Sequence, residues 1–300
     1  VIGENSAGKS DVLKKIVQNY CNSTEKIYFI DAVNRKFNVS LVSQVGQDFS
    51  INSEDIVSLR LSESKFNLVD SFGLQINNVE SLYATYKNIL PINLKEFAGI
   101  DFKIEQRVND ITGTKSNYVV VNGNEVFLSN GYQAIVRIFI ELIQYEEHIS
   151  PDAKAIVLID EIDKYLSPSY TAKIFPYLQE RFPLWTFCVT THSRDLLKYA
   201  SNYILCPLKQ NNEGVVQYEF LSSLDIHNEK QIERIFSDIF FESERKSTSS
   251  NDEMDIRLRQ FLNLKLTDSW DDNCEREFKK IESELSAPHQ KLLYRQIREW

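Results

Sequence analysis

Several kinds of organisation are missing from this chain. The four cysteines, Cys21, Cys188, Cys206 and Cys274, stand far apart with no Cys-x-x-Cys pair. That excludes a disulfide framework and a thiolate metal cage, and reduced thiols in a cytoplasmic protein are the expectation. No apolar run approaches the roughly 20 residues that cross a bilayer, so no membrane segment is expected. Basic excess is also missing: 34 Lys and Arg against 43 Asp and Glu leave a net charge of −9. Coating nucleic acid by charge alone is thereby excluded, while a local basic groove formed on assembly stays open. There is no internal repeat, no heptad array, no His-Asn-His motif, no clustered nuclease acids and no metal-spaced His or Cys set.

What is present is apolar material. Hydrophobic residues make up 42% of the 300 positions and aromatics 12%, enough to bury the core of one large domain or of a domain with appendages. Val12, Leu13, Ile16 and Val17 recur at helical spacing after Gly8. Lys26-Ile27-Tyr28-Phe29-Ile30 has strand character, and alternation through about residue 76, as in Ile56-Val57-Ser58-Leu59-Arg60-Leu61, predicts short strands of an antiparallel lobe. A helix is expected from Val79 to Leu90, stopped by Pro91, with 92–100 irregular. Residues 101–108 read as a strand. Tyr118–Val121 and Glu125–Leu128 flank Asn122-Gly123, the strongest short hairpin signal. An apolar helix follows through Ile143.

Ala155-Ile156-Val157-Leu158-Ile159 is a continuous run of the kind found in a strand covered on both faces. A helix over 170–181, a buried strand over 185–190, a helical segment over 195–199 and strands over 203–206 and 215–220 complete an α/β alternation that calls for a mainly parallel sheet. From about residue 223 the pattern turns helical: Ile232, Ile235, Phe236, Ile239 and Phe240 form a stripe, 242–253 is polar and read as a mobile loop, and 254–300 returns to helical spacing. The expected domains are therefore 1–222, with a β/helical lobe over about 26–128, and a helical appendage over 223–300. His289 is isolated, and Trp270 and Trp300 could pack inward or dock a partner.

The chemistry concentrates in a few stretches. Gly3-Glu4-Asn5-Ser6-Ala7-Gly8-Lys9-Ser10 matches G-x-x-x-x-G-K-[S/T], a loop that cradles phosphates. Its glycines let backbone N–H groups approach an anion, Lys9 would reach the β- and γ-phosphates, and the Ser10 hydroxyl would meet Mg²⁺. Val1 and Ile2 read as the end of a buried strand feeding this loop, so an N-terminally cut chain is expected. The run ending in Asp160-Glu161 supplies the partner acids: Asp160 for Mg²⁺, Glu161 to orient or deprotonate an attacking water.

Leu128-Ser129-Asn130-Gly131-Tyr132-Gln133 resembles the L-S-x-G-x-Q signature of ABC-type P-loop ATPases, and Val189-Thr190-Thr191-His192-Ser193 resembles their switch-histidine segment. All four elements come in that family's order. Asp160-Glu161-Ile162-Asp163-Lys164-Tyr165-Leu166-Ser167-Pro168 looks closest to the overcoming-lysogenisation (OLD-like) group, which includes ATPase subunits of antiphage systems such as Septu and retron-associated effectors. Histidines are frequent around the Leu and Pro of that group; Tyr165 and Ser167 stand there instead.

The resemblance covers roughly residues 1–222. It implies an ABC-ATPase-like parallel sheet with an antiparallel β lobe, and ATP with Mg²⁺ as ligands. It implies a head-to-tail homodimer in which Ser129, Asn130, Gly131 and Gln133 meet the γ-phosphate held by the second copy. His192 would sense that phosphate, Asp163 would couple the two sites, and a separate effector chain would be gated. The glutamine expected in the intervening lobe is Gln44, Gln47 or neither, with Asn34-Arg35 an equal contender. An SMC- or recombination-type DNA-repair ATPase and a nucleotide-sensing switch with little turnover are the alternatives; nucleic acid is left open as a partner.

Overall fold

Six short strands, five of them parallel, assemble edge to edge, and their order decides where the loop and the acids end up. The computed structural model describes residues 1–4, 7–20, 26–45, 53–62, 66–67, 70, 79–210, 216–223, 226, 229–240, 254, 257–258, 261, 265, 270, 272–285 and 288–299. Gln47, Asn5, Ser6, Cys21, Trp300 and the polar stretch 242–253 lie outside them. The chain divides into two compact units, Val1–Phe236 and Ser237–Trp300.

In the first unit β6 (Ala155–Ile159) lies between β2 (Lys26–Ile30) and β7 (Trp185–Val189), all three parallel, with Ile159 aligned to Ile30 and Val189. β1 (Ile2–Gly3) runs parallel to β9 (Pro207–Gln210), which pairs antiparallel with β10 (Val216–Tyr218). An Ile2–Thr191 bridge and the Thr191 N–H donated to the Val1 carbonyl at 3.1 Å join the two groups. The order is then β2-β6-β7-β1-β9-β10, parallel except for β10. β8 (Ile204–Leu205) and β11 (Leu221–Ser222) form a small antiparallel pair.

Alternation along the strands serves two layers. Ile27, Phe29 and Leu158 pack with Leu13 and Val17 of α1 (Lys9–Tyr20) on one face. Tyr28, Ile30, Val157 and Ile159 pack with Ile135, Ile138 and Leu142 of α5 (Asn130–Glu147) on the other. A strand covered on both faces has no wet side, which is why β6 reads as an unbroken apolar run. Each buried aliphatic side chain in these layers contributes about 1.5–3 kcal/mol of transfer free energy.

The antiparallel sheet is made by β3 (Phe102–Val108), β4 (Lys115–Val121) and β5 (Asn124–Val126). Asn122 at φ 50° and Gly123 at φ 80° turn the β4–β5 hairpin with both central residues left-handed, as a type I′ turn requires.

The segment before it departs from expectation. Among the described residues, 31–100 contain no strand: Val39–Leu41 is a 3₁₀ turn capped by the Asn38 side chain, and Ser53–Ser62 is a helix, α2. Helix geometry puts Val57 and Arg60 on one side, where both are buried; the guanidinium lies 4.7 Å over the Phe29 ring and 3.6 Å from Asp31. Those long-range contacts outweigh the local alternation. β2, in turn, belongs to the parallel sheet and not to the lobe.

Pro91 likewise opens a helix instead of ending one. After the 3₁₀ turn Val79–Leu82 and α3 (Tyr83–Tyr86), α4 spans Leu90–Ala98 with Pro in its first turn, where no amide hydrogen is needed. Gly99 at φ 69° ends it, its N–H bonding the Lys95 carbonyl. α6 (Pro168–Arg181) follows β6, and the helix expected over 195–199 is only a 3₁₀ turn, Arg194–Leu197. α7 covers Glu229–Phe240.

The second unit is helical where described, with α8 (Asp272–Lys280) and α9 (Pro288–Glu299). Its core gathers Met254, Leu258, Phe278, Ile281, Leu285, Tyr294 and Ile297, and Phe278 stacks on Tyr294 at 4.3 Å. Trp270 packs on that core and His289 lies in α9.

Candidate nucleotide-binding site

In an open parallel sheet ligands gather at the carboxyl ends of the strands, where strand order switches. β1, β6 and β7 present the glycine-rich loop, the acid pair and the Thr190–His192 segment at one such edge.

The loop is tight. A Cβ on Gly3 would sit 3.1 Å from the Ala7 Cβ and 3.1 Å from the Leu208 carbonyl oxygen, a tight fit that its neighbours would have to ease, and Gly8 has φ 88°, a left-handed backbone that favours glycine. Lys9 opens α1 and is 7% exposed. Its Nζ donates to the Gly3 and Glu4 carbonyls at 2.9 Å each, which curls the side chain back along the loop. Burial pulls its pKa down, while Glu161, Asp160 and Asp163 push it up. The Ser10 hydroxyl donates to Asp160 Oδ2 at 3.0 Å and accepts from Asn67 Nδ2 at 3.1 Å.

Asp160 is buried at the end of β6, its N–H bonded to the Ile30 carbonyl at 3.0 Å. The Thr190 hydroxyl donates to Asp160 Oδ1 at 2.5 Å and accepts the Glu161 N–H at 2.7 Å. Arg35 Nη2 donates to the Asp160 carbonyl at 2.8 Å. Glu161 itself adopts φ 48°. Its carboxylate faces His192 Nε2 at 3.7 Å and Lys164 Nζ at 3.1 Å. His192 foremost, then Lys164, outweigh partial burial and hold it down to about 2. Asp163 Oδ1 is buried with no hydrogen-bond partner among the described residues.

The signature segment starts α5. Ser129 caps that helix, accepting the Tyr132 N–H, and Ser129 and Asn130 are exposed. A Cβ on Gly131 would fall 2.9 Å from the Tyr165 carbonyl, so this glycine packs directly on the turn after the acid pair. Gln133 is already engaged within the chain: its Nε2 donates to the Leu128 carbonyl at 2.9 Å and its Oε1 accepts the Phe37 N–H at 3.3 Å.

The lobe contenders separate. Asn34 bonds Asp31, and Gln44 Nε2 is buried with no partner among the described residues, whereas Arg35 reaches the acidic strand. Thr190 carries no expectation from the sequence; its one signal is its place at a strand end two residues before His192. Ser10 and Asp160 offer oxygen ligands of the type Mg²⁺ takes, and the Lys9 ammonium lies inside the glycine-rich loop at the start of α1, so the residues fit a divalent cation and an anion.

No family model matches the chain. It is 34% identical over 88 residues to the Septu protein PtuA of Bacillus mycoides, a stretch covering 29% of this chain and 12% of that protein. It is 32% identical over 99 residues to the retron Ec83 probable ATPase of Escherichia coli, covering 31% and 18%. The likeness is to ABC-type ATPases of the Septu and retron kind. The matched stretches span less than a fifth of either relative's length. Among solved structures, an SMC ATPase studied for ATP-driven dimerization aligns at 17% identity over 53% of this chain and 97% of that one, with a TM-score of 0.35. The SMC head domain from Thermotoga maritima aligns at 18%, over 48% and 49%, with a TM-score of 0.33.

Proposed function

We propose that the chain binds and hydrolyses ATP with Mg²⁺, that two copies close head to tail around two ATP molecules, and that closure gates an effector on a separate chain in prokaryotic antiphage defence. Residues 1–222 are the ATPase part of this reading and 223–300 its helical appendage. The observation that carries it is the Ser10–Asp160 hydrogen bond, which puts the hydroxyl of the glycine-rich loop on the carboxylate ending β6.

Ser10 and Asp160 would hold Mg²⁺, Asp160 directly or through water; a bound Mg²⁺ offsets charge on the β- and γ-phosphates. Lys9 exchanges the Gly3 and Glu4 carbonyls for those phosphates, a local move of an ammonium already inside the loop. By its motif, the stretch from Gly3 to Ser10 would cradle the anion with backbone N–H groups. Glu161, ionised across the physiological range, orients the attacking water or takes its proton. His192, beside it, bonds the γ-phosphate and responds to its loss.

Ser129 and the Gly131 N–H, at the exposed start of α5, serve the second copy's γ-phosphate. Gln133 holds that segment in shape, and Asp163, whose Oδ1 is buried without a partner among the described residues, couples the two sites once dimer closure rearranges its turn. The likeness to Septu PtuA and the retron Ec83 probable ATPase supports the defence role and the effector.

The test is calorimetric titration of full-length protein with ATP and Mg²⁺. Lys9→Ala is expected to weaken binding at least about 100-fold, the range lost with a charge-assisted clamp of roughly 3 kcal/mol. Unchanged affinity would refute the site.

A further inference from the structure

We infer that Arg35 and Thr190 clamp the peptide unit between Asp160 and Glu161 from both ends, which makes them positioning residues for the water-activating carboxylate. This rests on the reading that Glu161 acts in hydrolysis.

One peptide plane joins the two acids. Its carbonyl, that of Asp160, accepts from Arg35 Nη2 at 2.8 Å; its N–H, that of Glu161, donates to Thr190 Oγ1 at 2.7 Å. The same Thr190 hydroxyl passes its proton toward Asp160 Oδ1 at 2.5 Å, so one oxygen ties the Mg²⁺-side carboxylate to the backbone of its neighbour. Both anchors are dry: Arg35 is 1% and Thr190 0% exposed.

The plane needs holding. Glu161 sits at φ 48°, a left-handed conformation that side-chain-bearing residues avoid unless their surroundings impose it. A rotated peptide would swing the Glu161 Cβ and with it the carboxylate, away from His192 at 3.7 Å and Lys164 at 3.1 Å. With carbonyl and N–H both bonded to buried side chains, that rotation breaks two hydrogen bonds at once. Arg35 is costly to bury, and although Asp31 and Glu141 attract its charge, its Nε and Nη1 have no partner among the described residues and the backbone carbonyl of Asp160 takes the one hydrogen bond its guanidinium makes there. Valine would fill the Thr190 volume and could neither accept from Glu161 nor donate to Asp160.

The experiment measures kcat, KM and ATP affinity for Thr190→Val, Thr190→Ser and Arg35→Lys in full-length protein. It then measures single-turnover phosphate release for Thr190→Val combined with Glu161→Gln. Thr190→Val is expected to lower kcat about 10–100-fold, the cost of a group displaced by about 1 Å, with affinity within about twofold. Thr190→Ser, which keeps the hydroxyl, restores most of that loss. Arg35→Lys, which keeps the charge and loses the fork, lowers kcat in the same way; if it fails to fold, the Thr190 pair decides. Beside Glu161→Gln, Thr190→Val is expected to change the residual rate by no more than about twofold, because the Glu161 carboxylate is no longer there to place; an effect through the Asp160 contact would appear instead as an equal loss in both backgrounds. An equal fold loss in both backgrounds, or Thr190→Val indistinguishable from an active wild type, overturns the clamp. A Glu161→Gln protein that turns over at the wild-type rate, or an inactive wild type, overturns the Glu161 reading and the clamp with it.

Discussion

Ser10 Oγ and Asp160 Oδ2 lie 3.0 Å apart although 150 positions separate them in the chain. Sheet order produces the meeting: β1 and β6 run parallel with β7 between them, so the chain leaves both strands at the same edge. The contact also has a chemical consequence. Two oxygen ligands are set side by side, and closing the site on Mg²⁺ and phosphate asks for only a small rearrangement.

Ser129 caps α5 and stays exposed, so the proposed half-site for the second copy can be blocked without touching the first. Ser129→Arg in full-length protein is expected to leave ATP affinity within about twofold while lowering turnover by at least about 10-fold and suppressing ATP-dependent dimers. Nucleotide titration and gel filtration together check it, and a dimeric, fully active variant would contradict it.

Acid stability should depend on Glu161. Its carboxyl is held at about 2 by His192 and Lys164, below the usual carboxylate range. A depressed acid stabilises the fold above its unfolded pKa, roughly 4.3, and that stabilisation drains away as pH falls through the folded value. Urea midpoints for Glu161→Gln are therefore expected to fall less steeply than those of wild type between about pH 4.5 and 2. Parallel curves would mean the two cations do not hold the carboxylate.

Beneath the site, Arg137 bridges Glu141 at 2.7 Å and Asp70 at 2.6 Å, and Glu141 also accepts from Tyr28 at 3.3 Å, all at or near full burial except Asp70. Arg137→Met removes the cation hydrogen-bonded to buried Glu141 and leaves it only the attraction of Arg35 and Arg60, which is expected to cost up to about 3–5 kcal/mol in urea unfolding. Arg137→Met with Glu141→Leu, which removes both charges, should recover most of it. A single variant that loses less than about 1 kcal/mol would show the pair to be dispensable.

Local pattern made some of this legible and could not make the rest so. β6 announces itself because a strand covered on both faces must be apolar throughout, and Asn122-Gly123 because few other pairs accept two left-handed residues; β7, expected to be buried, is only partly covered, with Thr186 exposed. The glycine-rich loop and Asp160-Glu161 are readable for a similar reason: each carries its chemistry within a few consecutive residues. α2 was hidden. Its alternating residues look like a strand, and the deciding contacts of Arg60 with Asp31 and Phe29 arise only once β2 is in place. Pro91 reads as a stop until the chain before it is seen to turn instead of continuing a helix. Arg35 and Thr190 act on one peptide from 125 and 29 residues away, with no spacing rule to mark them. Gln133 could be found by motif, and its engagement with Leu128 and Phe37 could not.

The central claim is that ATP closes two copies of this chain around a shared site. Gel filtration of full-length Glu161→Gln with and without Mg²⁺ and ATP tests it most directly, since hydrolysis cannot then reopen the sandwich. The account predicts a dimer with ATP and a monomer without it, the dimer being abolished by adding Ser129→Arg. A Glu161→Gln protein that binds ATP and stays monomeric would contradict it.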